Sequence, residues 1–318
     1  MRFSPACATS WPGWRAAATD DVNSEPLITF AIPAYRRPGL LSEALAGIAA
    51  QRGGEDFEVV VCDDGRMEEN RRLTEQFAGG RGRYLPNETT LGAVANWNRC
   101  LHAARGRWVT ILHEDDTLYP WYLDLVRPRL RDGLAAVCTR TVQGAEPPEL
   151  IEPAGTPAVL AYPPRYFLKS SMTPFPGVLI RRTLALDLGG FDERWGPLAD
   201  YEFWYRLACA GPIEVVRAVG AFYRVSPGQW TESEWGRMLG LTHLLRLRIV
   251  REQFRRSPRL GRWLARFFTA RNAQSYAERF AERPAALHRT LRFNRIACAG
   301  LPSGWVWAAL RHSGPGMP

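Results

Sequence analysis

Two acidic clusters and one further carboxylate carry most of the chemistry available to this sequence: Asp63-Asp64, Glu114-Asp115-Asp116 and Asp200. Carboxylates packed this closely repel one another unless a cation or hydrogen-bond donors balance them. A hard divalent ion carrying a phosphate group would supply that balance. The alternative is a solvated acidic turn ahead of a helix that starts near Tyr119. Asp200 heads the strongly apolar stretch Tyr201–Ala210. A carboxylate there can accept a proton from a hydroxyl, or it can cap the helix that follows.

The acids need elements to place them. Trp108–Leu112 is a continuous apolar or β-branched run between Gly106 and the second cluster, the pattern of a buried central strand. Leu27–Pro33 and Phe57–Cys62 read as two further strands, the latter running into Asp63-Asp64-Gly65, and Arg83–Leu85 as a short one. Between them lie helical patterns. Pro38 opens one, with Leu41, Leu45 and Ile48 on its apolar face. A second runs through Leu73 and Phe77, and a third spans Ala93–Ala104 after a loop from Asn87 to Gly92. Strand and helix alternate three times before residue 107, which predicts a right-handed, mostly parallel, doubly wound α/β sheet. Parallel strands share their direction, so both acidic clusters fall at one carboxyl edge, where such sheets bind ligands. Neither G-x-G-x-x-G nor G-x-x-x-x-G-K-[ST] follows the first strand, which argues against a dinucleotide cofactor or a P-loop nucleotide. A phosphate bound here would need a metal.

Charge divides the chain. The formal net charge is +9, yet residues 232–318 hold 16 Arg against 5 Glu, so the basic character belongs to the C-terminal quarter. Three regions are expected: a flexible extension over 1–26, the α/β domain over 27–225, and an Arg-rich helical region over 226–318. In the last, Met238, Leu241, Leu245 and Ile249 form an apolar stripe, and Ser257-Pro258 starts another helix. That helix has Trp263 and Phe267 on one face and Arg259, Arg262 and Arg266 on another. Pro284 breaks the chain again, and Ile296–Leu310, with Trp305 and Trp307, is too short to span a bilayer. Peripheral contact with anionic lipid would suit such a region; a helical cap with a solvated Arg face is the alternative. The six Cys are scattered and read as reduced core residues of a cytosolic protein, one that works at the inner face of the membrane if its C-terminal helices touch lipid.

The motifs Ile32-Pro33-Ala34-Tyr35, Val61-Cys62-Asp63-Asp64-Gly65 and Leu112-His113-Glu114-Asp115-Asp116 resemble the nucleotide-sugar half of family 2 glycosyltransferases, which have the GT-A fold. Gly92, Asn98 and Leu101 fit the same pattern. Gly189-Gly190-Phe191-Asp192-Glu193 and Ala199–Leu207 resemble the acceptor half. The resemblance covers about residues 26–225 and implies a GT-A-like sheet with a helical C-terminal extension. It implies metal-dependent, inverting transfer from a nucleotide-diphospho-sugar to an acceptor hydroxyl. Pro33 and Tyr35 match positions lining the nucleobase and ribose, Asp64 with Asp63 a base-binding carboxylate, and Asp115 a position near ribose. Asn98 belongs with the donor nucleotide. Asp116 matches the ligand of Mn2+ or Mg2+, and Asp200 the general base. Departures from the pattern are Arg36 for a frequent Asn, Trp97 for an Arg before Asn98, and Ala199 for the Glu that usually precedes the base.

Other residues read more plainly. His113 is expected to be structural, His243 a less favoured third metal ligand, and Asp187 and Asp192 caps or turns. Glu202 is either a substitute carboxylate near the base or an exposed helix residue. Ser170–Gly177 reads as a loop. A sugar-nucleotidyltransferase of similar fold is a competing reading, but Pro33–Arg37 makes a poor phosphate loop. Nucleic-acid binding through the Arg-rich region lacks a recognisable module, so no nucleic-acid partner is expected.

Overall fold

Seven apolar or β-branched side chains in a row give the first strand, β1 (Ile28–Ala34), and six of its seven residues are buried. The computed structural model describes residues 25–52, 56–77, 81–171, 174–226, 230 and 234–279. After β1 come α1 (Pro38–Ala49), β2 (Phe57–Asp63), α2 (Glu68–Gln76), β3 (Gly82–Pro86), α3 (Ala93–Ala103) and β4 (Trp108–Ile111). Strand and helix alternate as their periodicities require. The four strands pair in parallel, with Ala34 level with Asp63 and Ala31 with Ile111. The carboxyl ends of β1, β2 and β4 therefore lie side by side.

The second half mixes strand directions. It comprises β5 (Thr117–Leu118), α4 (Tyr122–Val126), β6 (Ala136–Gly144), β7 (Val159–Ala161), β8 (Val178–Arg181), α5 (Arg182–Asp187), α6 (Ala199–Ala210) and β9 (Ile213–Arg224). The sheet order is β3-β2-β1-β4-β8-β6-β9-β5, with β7 on β9. Strand β8 meets β4 and β6 antiparallel through short ladders, whereas β6 and β9 run parallel over a long one. The sheet is thus mostly parallel with antiparallel insertions, a mixed arrangement common in large sheets. The helix expected near Tyr119 starts at Tyr122, because Thr117-Leu118 is drawn into the sheet by β9 first. The core packs Ile28, Phe30 and Ile32 of β1 with Leu41, Leu45 and Ile48 of α1 and with Trp108, Leu112 and Tyr122.

Contacts divide the chain into two units, one within residues 1–166 and 171–229, the other within 167–170 and 230–318. In the second unit, α7 (Trp235–Gln253) buries Leu245 and Ile249 completely, and α8 (Pro258–Arg279) leaves Arg259, Arg262 and Arg266 exposed. Arg246 departs from this solvated pattern. It is fully buried, and its guanidinium donates to the carbonyls of Leu168 (2.9 Å) and Lys169 (3.0 Å) and to Thr269 Oγ1 (3.0 Å). Among the described residues no helix is long and apolar enough to cross a membrane. Cys62, Cys100 and Cys138 are buried thiols as expected, but Cys209 is exposed. The expected N-terminal extension, Pro284 and the Trp305–Trp307 segment lie outside the described residues.

Candidate active site

The site is assembled from loops that leave the carboxyl ends of β1, β2 and β4. After β1 the chain turns through Arg36, whose φ of 59° is left-handed. Here the Tyr35 N–H donates to Glu114 Oε2 (2.8 Å) and Arg37 Nε to Glu114 Oε1 (2.8 Å). Arg37 Nη1 donates to Asp115 Oδ2 (2.8 Å). Glu114 is buried and joins the end of β1 to the end of β4, and Arg37 offsets two of the three clustered charges. A Cβ at Gly65 would come within 2.9 Å of Arg36 Cγ and N, so this close approach of the β1 and β2 loops requires glycine.

The first acidic pair shapes these loops. Asp63 is fully buried and accepts from the N–H groups of Gly65 and Met67 (both 2.8 Å), from Asn70 Nδ2 (3.0 Å) and from Tyr84 Oη (2.8 Å). Both its oxygens are occupied, by its own turn and by side chains of α2 and β3, so it positions the loop. Asp64 holds the next loop: Oδ1 accepts from Leu91 N (2.7 Å) and Asn87 Nδ2 (2.8 Å), and Oδ2 from Gly92 N (2.9 Å).

Asp116 differs. It is 1% exposed, and its Oδ1 accepts from the Arg224 N–H at 3.1 Å, while Oδ2 is buried with no hydrogen-bond partner. Burial pushes its carboxyl well above the usual range, with neighbouring Asp115 adding to the rise. A buried, unpaired carboxylate oxygen costs ~1–3 kcal/mol unless something meets it. Ligand atoms of His113, Asp115 and Asp116 all lie within 4.8 Å of one another, and His113 Nδ1 is 3.9 Å from Asp116 Oδ2. Two carboxylates and an imidazole nitrogen form a donor set that a divalent cation fits. His113, expected to be structural, therefore belongs to the cluster. It is also packed, its ring stacked on Trp97 (centroids 5.4 Å apart, planes at 23°) and set against Phe175 at 4.7 Å. Burial lowers its pKa to about 4, so the ring is neutral near pH 7. His243 bonds to Thr269 Oγ1 (3.1 Å) within the second unit and is not part of this cluster.

Asp200 lies in the first turn of α6 but does not cap it, since Leu198 holds the cap position. Its Oδ1 accepts from Tyr201 N (2.6 Å), and burial pushes its carboxyl up to about 6. A carboxylate of that basicity suits proton abstraction near neutral pH. Glu202 is buried, not exposed. Arg206 Nε donates to both its oxygens (2.9 and 2.8 Å), and the same guanidinium donates to the carbonyls of Leu188 (2.7 Å) and Gly190 (2.6 Å). It is occupied in holding the glycine loop and cannot stand in for the base.

Asn98 serves that loop too. Its Nδ2 donates to Phe191 O and its Oδ1 accepts from Phe191 N, both at 2.8 Å. The amide joins α3 to the Gly189-Gly190-Phe191 turn. Gly190 has φ 66°, and a Cβ there would collide with Asn98 Oδ1. Aromatic contacts complete the connection. Phe175 touches His113 on one side and Trp204 (5.6 Å), on the helix of Asp200, on the other. Asp192 caps the turn 193–198 through Arg194 N (3.0 Å), as expected.

Residues 29–184 match the model of glycosyl transferase family 2. That segment is a glycosyltransferase domain of the family. The transferase is 30% identical over 212 residues to Uncharacterized protein MT1568 of Mycobacterium tuberculosis, a match covering 62% of this chain and 66% of that one. It spans about two thirds or less of the length of the curated relatives it matches. Among solved structures, TarS 1-349 of S. aureus in complex with UDP-GlcNAc is similar with a TM-score of 0.56 and 16% identity, covering 85% of this chain and 88% of that one. The mannosyltransferase PcManGT of Pyrobaculum calidifontis, in complex with GDP-Man and Mn2+, gives 0.57 and 18%, covering 95% and 84%. Both likenesses show the GT-A-like fold.

Within this family 2 transferase, sequence reading passed over three residues of the site. Glu114 stood in the acidic cluster without a role, and Arg37 was only part of a loop. Arg224, 108 positions from Asp116, gave no signal, because nothing local marks the last residue of a long strand. It is 6% exposed and donates to the carbonyls of Asp115 (3.1 Å) and Ala145 (2.9 Å) and to Glu43 Oε2 (2.5 Å).

Proposed function

We propose that the protein is a metal-dependent, inverting glycosyltransferase that moves a sugar from a nucleotide-diphospho-sugar to an acceptor hydroxyl. The observation that carries this reading is the buried, unpartnered Asp116 Oδ2 at the carboxyl edge of β4, beside Asp115. Asp116 and Asp115 would hold Mn2+ or Mg2+, which when bound offsets the negative charge that grows on a nucleoside diphosphate as it leaves. The protein's own groups do the rest. Pro33 and Tyr35 end β1, and the Tyr35 ring is 45% exposed with the Arg36 guanidinium 5.1 Å over it, a surface suited to a nucleobase. Asp64 fixes the 87–92 loop beside this surface, and Arg37 keeps Glu114 and Asp115 in place. Asp200, with a pKa of about 6, takes the proton from the acceptor hydroxyl. One displacement with one base inverts the anomeric carbon. The neighbours' complexes with UDP-GlcNAc and GDP-Man support a nucleotide-sugar donor, and that with Mn2+ supports the ion. We place the enzyme in the cytoplasm, working at the inner membrane face where its acceptor is lipid-linked, with the C-terminal helices as the peripheral contact.

A thermal-shift panel of UDP, GDP and dTDP and their sugars, each with and without Mn2+ or Mg2+, tests this. A ligand at 100 times its dissociation constant stabilises by ~2.7 kcal/mol. Stabilisation should require the ion and vanish in Asp116→Asn. The reading fails if no nucleotide stabilises the protein with either ion, or if Asp116→Asn responds as the wild type does.

A further inference from the structure

We infer that His113 is itself a metal ligand, and that it makes the site selective for Mn2+ over Mg2+. The inference rests on the metal reading above and goes beyond it in naming a nitrogen donor and the ion it favours. Four observations carry it. The imidazole lies in the same turn as the two carboxylates, and its Nδ1 is 3.9 Å from the buried, unpartnered Asp116 Oδ2. Two ligands on opposite sides of one ion at ~2.1 Å each stand ~4.2 Å apart, and adjacent ones ~3 Å. The observed 3.9 Å lies between these two spacings. Next, Asp115 keeps only part of its carboxylate for an ion, since Oδ2 already accepts from Arg37, so the pair of acids alone is a thin donor set. Asp116 is limited in the same way, because Oδ1 accepts from the Arg224 N–H. Finally, the ring cannot turn away. Trp97 stacks on one face, and Phe175 packs against it at 4.7 Å and is held in turn by Trp97 at 4.6 Å and Phe191 at 5.4 Å.

The chemical consequence follows from donor type. Mg2+ demands an octahedron of oxygens and gives up its water reluctantly, whereas Mn2+ accepts an imidazole nitrogen beside carboxylates and tolerates irregular geometry. An Asp or Asn at position 113 would leave an all-oxygen site that treats the two ions more evenly. Trp97 thereby acquires a purpose: it is the flat surface that orients the ligand ring.

The test uses the full chain and the metal salts alone, MnCl2 and MgCl2, without nucleotide. Binding is read from the loss of the free Mn2+ paramagnetic resonance signal, with Mg2+ measured by competition. His113→Asn keeps an oxygen near the place of Nδ1, and its thermal unfolding is recorded beside it. Wild type should bind Mn2+ at least tenfold more tightly than Mg2+, and the electron spin-echo signal of bound Mn2+ should show modulation from a nitrogen nucleus. In His113→Asn the nitrogen modulation should disappear, and Mn2+ affinity should fall about tenfold or more while Mg2+ affinity changes little. Trp97→Leu, which frees the ring without removing it, should keep the nitrogen modulation and weaken Mn2+ by less. An unchanged Mn2+ to Mg2+ ratio in His113→Asn, or wild-type Mn2+ without nitrogen modulation, overturns the proposal while leaving Asp116 as ligand. Retention of both ions by Asp116→Asn overturns the metal reading itself.

Discussion

Replacing Asp200 by Asn should make the protein more stable and nearly inactive at once. Burial raises the Asp200 carboxyl from an ordinary 3.8 to about 6. The folded state therefore holds its proton more tightly than the unfolded chain does. Below pH ~4 the residue is protonated in both states and costs nothing. Between ~4 and ~6 stability falls as pH rises, and above ~6 the full cost of a desolvated charge is present. That cost would be ~3 kcal/mol for a wholly enclosed group. Asp200 is partly open to solvent, which screens the charge, so ~1–2 kcal/mol is the working figure. Asn is neutral and can still accept from Tyr201 N–H. At pH 7.5 the variant should melt ~3–6 °C higher, by the usual scaling for a domain of this size, and the difference should vanish near pH 4. Transfer should fall by about 10²–10⁴ with donor binding intact. Wild-type turnover should itself drop as pH falls through about 6. Paired melting curves at pH 4 and 7.5, with donor-saturated rates, decide the matter. A variant less stable at both pH values would make Asp200 a structural acid, and full activity would place the base elsewhere.

Three further outcomes are expected. Chelation with EDTA should abolish transfer and lower the melting temperature by a few degrees, since the ion no longer meets the buried Asp116 Oδ2, but the protein should stay folded because Arg37 still offsets Glu114 and Asp115; a collapse of the fold on chelation would contradict this. Glu202→Gln should cost ~1–3 kcal/mol in denaturant unfolding, because it leaves the half-buried Arg206 guanidinium short of its partner, and the folded variant should lose less turnover than Asp200→Asn. Asn98→Ala breaks two hydrogen bonds to Phe191 and should cost ~1–3 kcal/mol; it should raise the acceptor KM more than the donor KM, and equal changes in both would count against its joining role.

The parallel half of the sheet was legible because its signals are local. Apolar runs in β1, β2 and β4 and the Leu41, Leu45, Ile48 stripe are set by neighbours a few residues away, and the carboxyl edge follows from strand direction alone. The reversal at β8 was not legible, since a four-residue strand reads the same in either direction. The acids were found by type, but their duties depend on hydrogen bonds that sequence does not show. Asp63 and Asp64 are adjacent and alike, yet one is consumed by its own turn and the other by a loop more than twenty residues on. Glu202 reads as either a second carboxylate near the base or an exposed helix residue until Arg206, itself bonded to the Leu188 and Gly190 carbonyls, is brought to it. His113 reads as structural because its neighbours Trp97 and Phe175 come from distant segments.

A primary amide presents an N–H donor and a C=O acceptor at nearly the spacing of a peptide group. Asn98 and Phe191 exchange both, so a side chain here acts as a single rung of β-ladder between segments 93 positions apart in sequence. The rung adds a directional tie between α3 and the glycine turn to the aromatic contacts and the β4–β8 ladder that also join these segments. Lengthening or removing that rung should loosen the Gly189-Gly190-Phe191 turn from α3 while the Asp63 and Asp64 loops keep their own hydrogen bonds. The glycine opposite it sets the limit, because any side chain added at position 190 would push against the same amide.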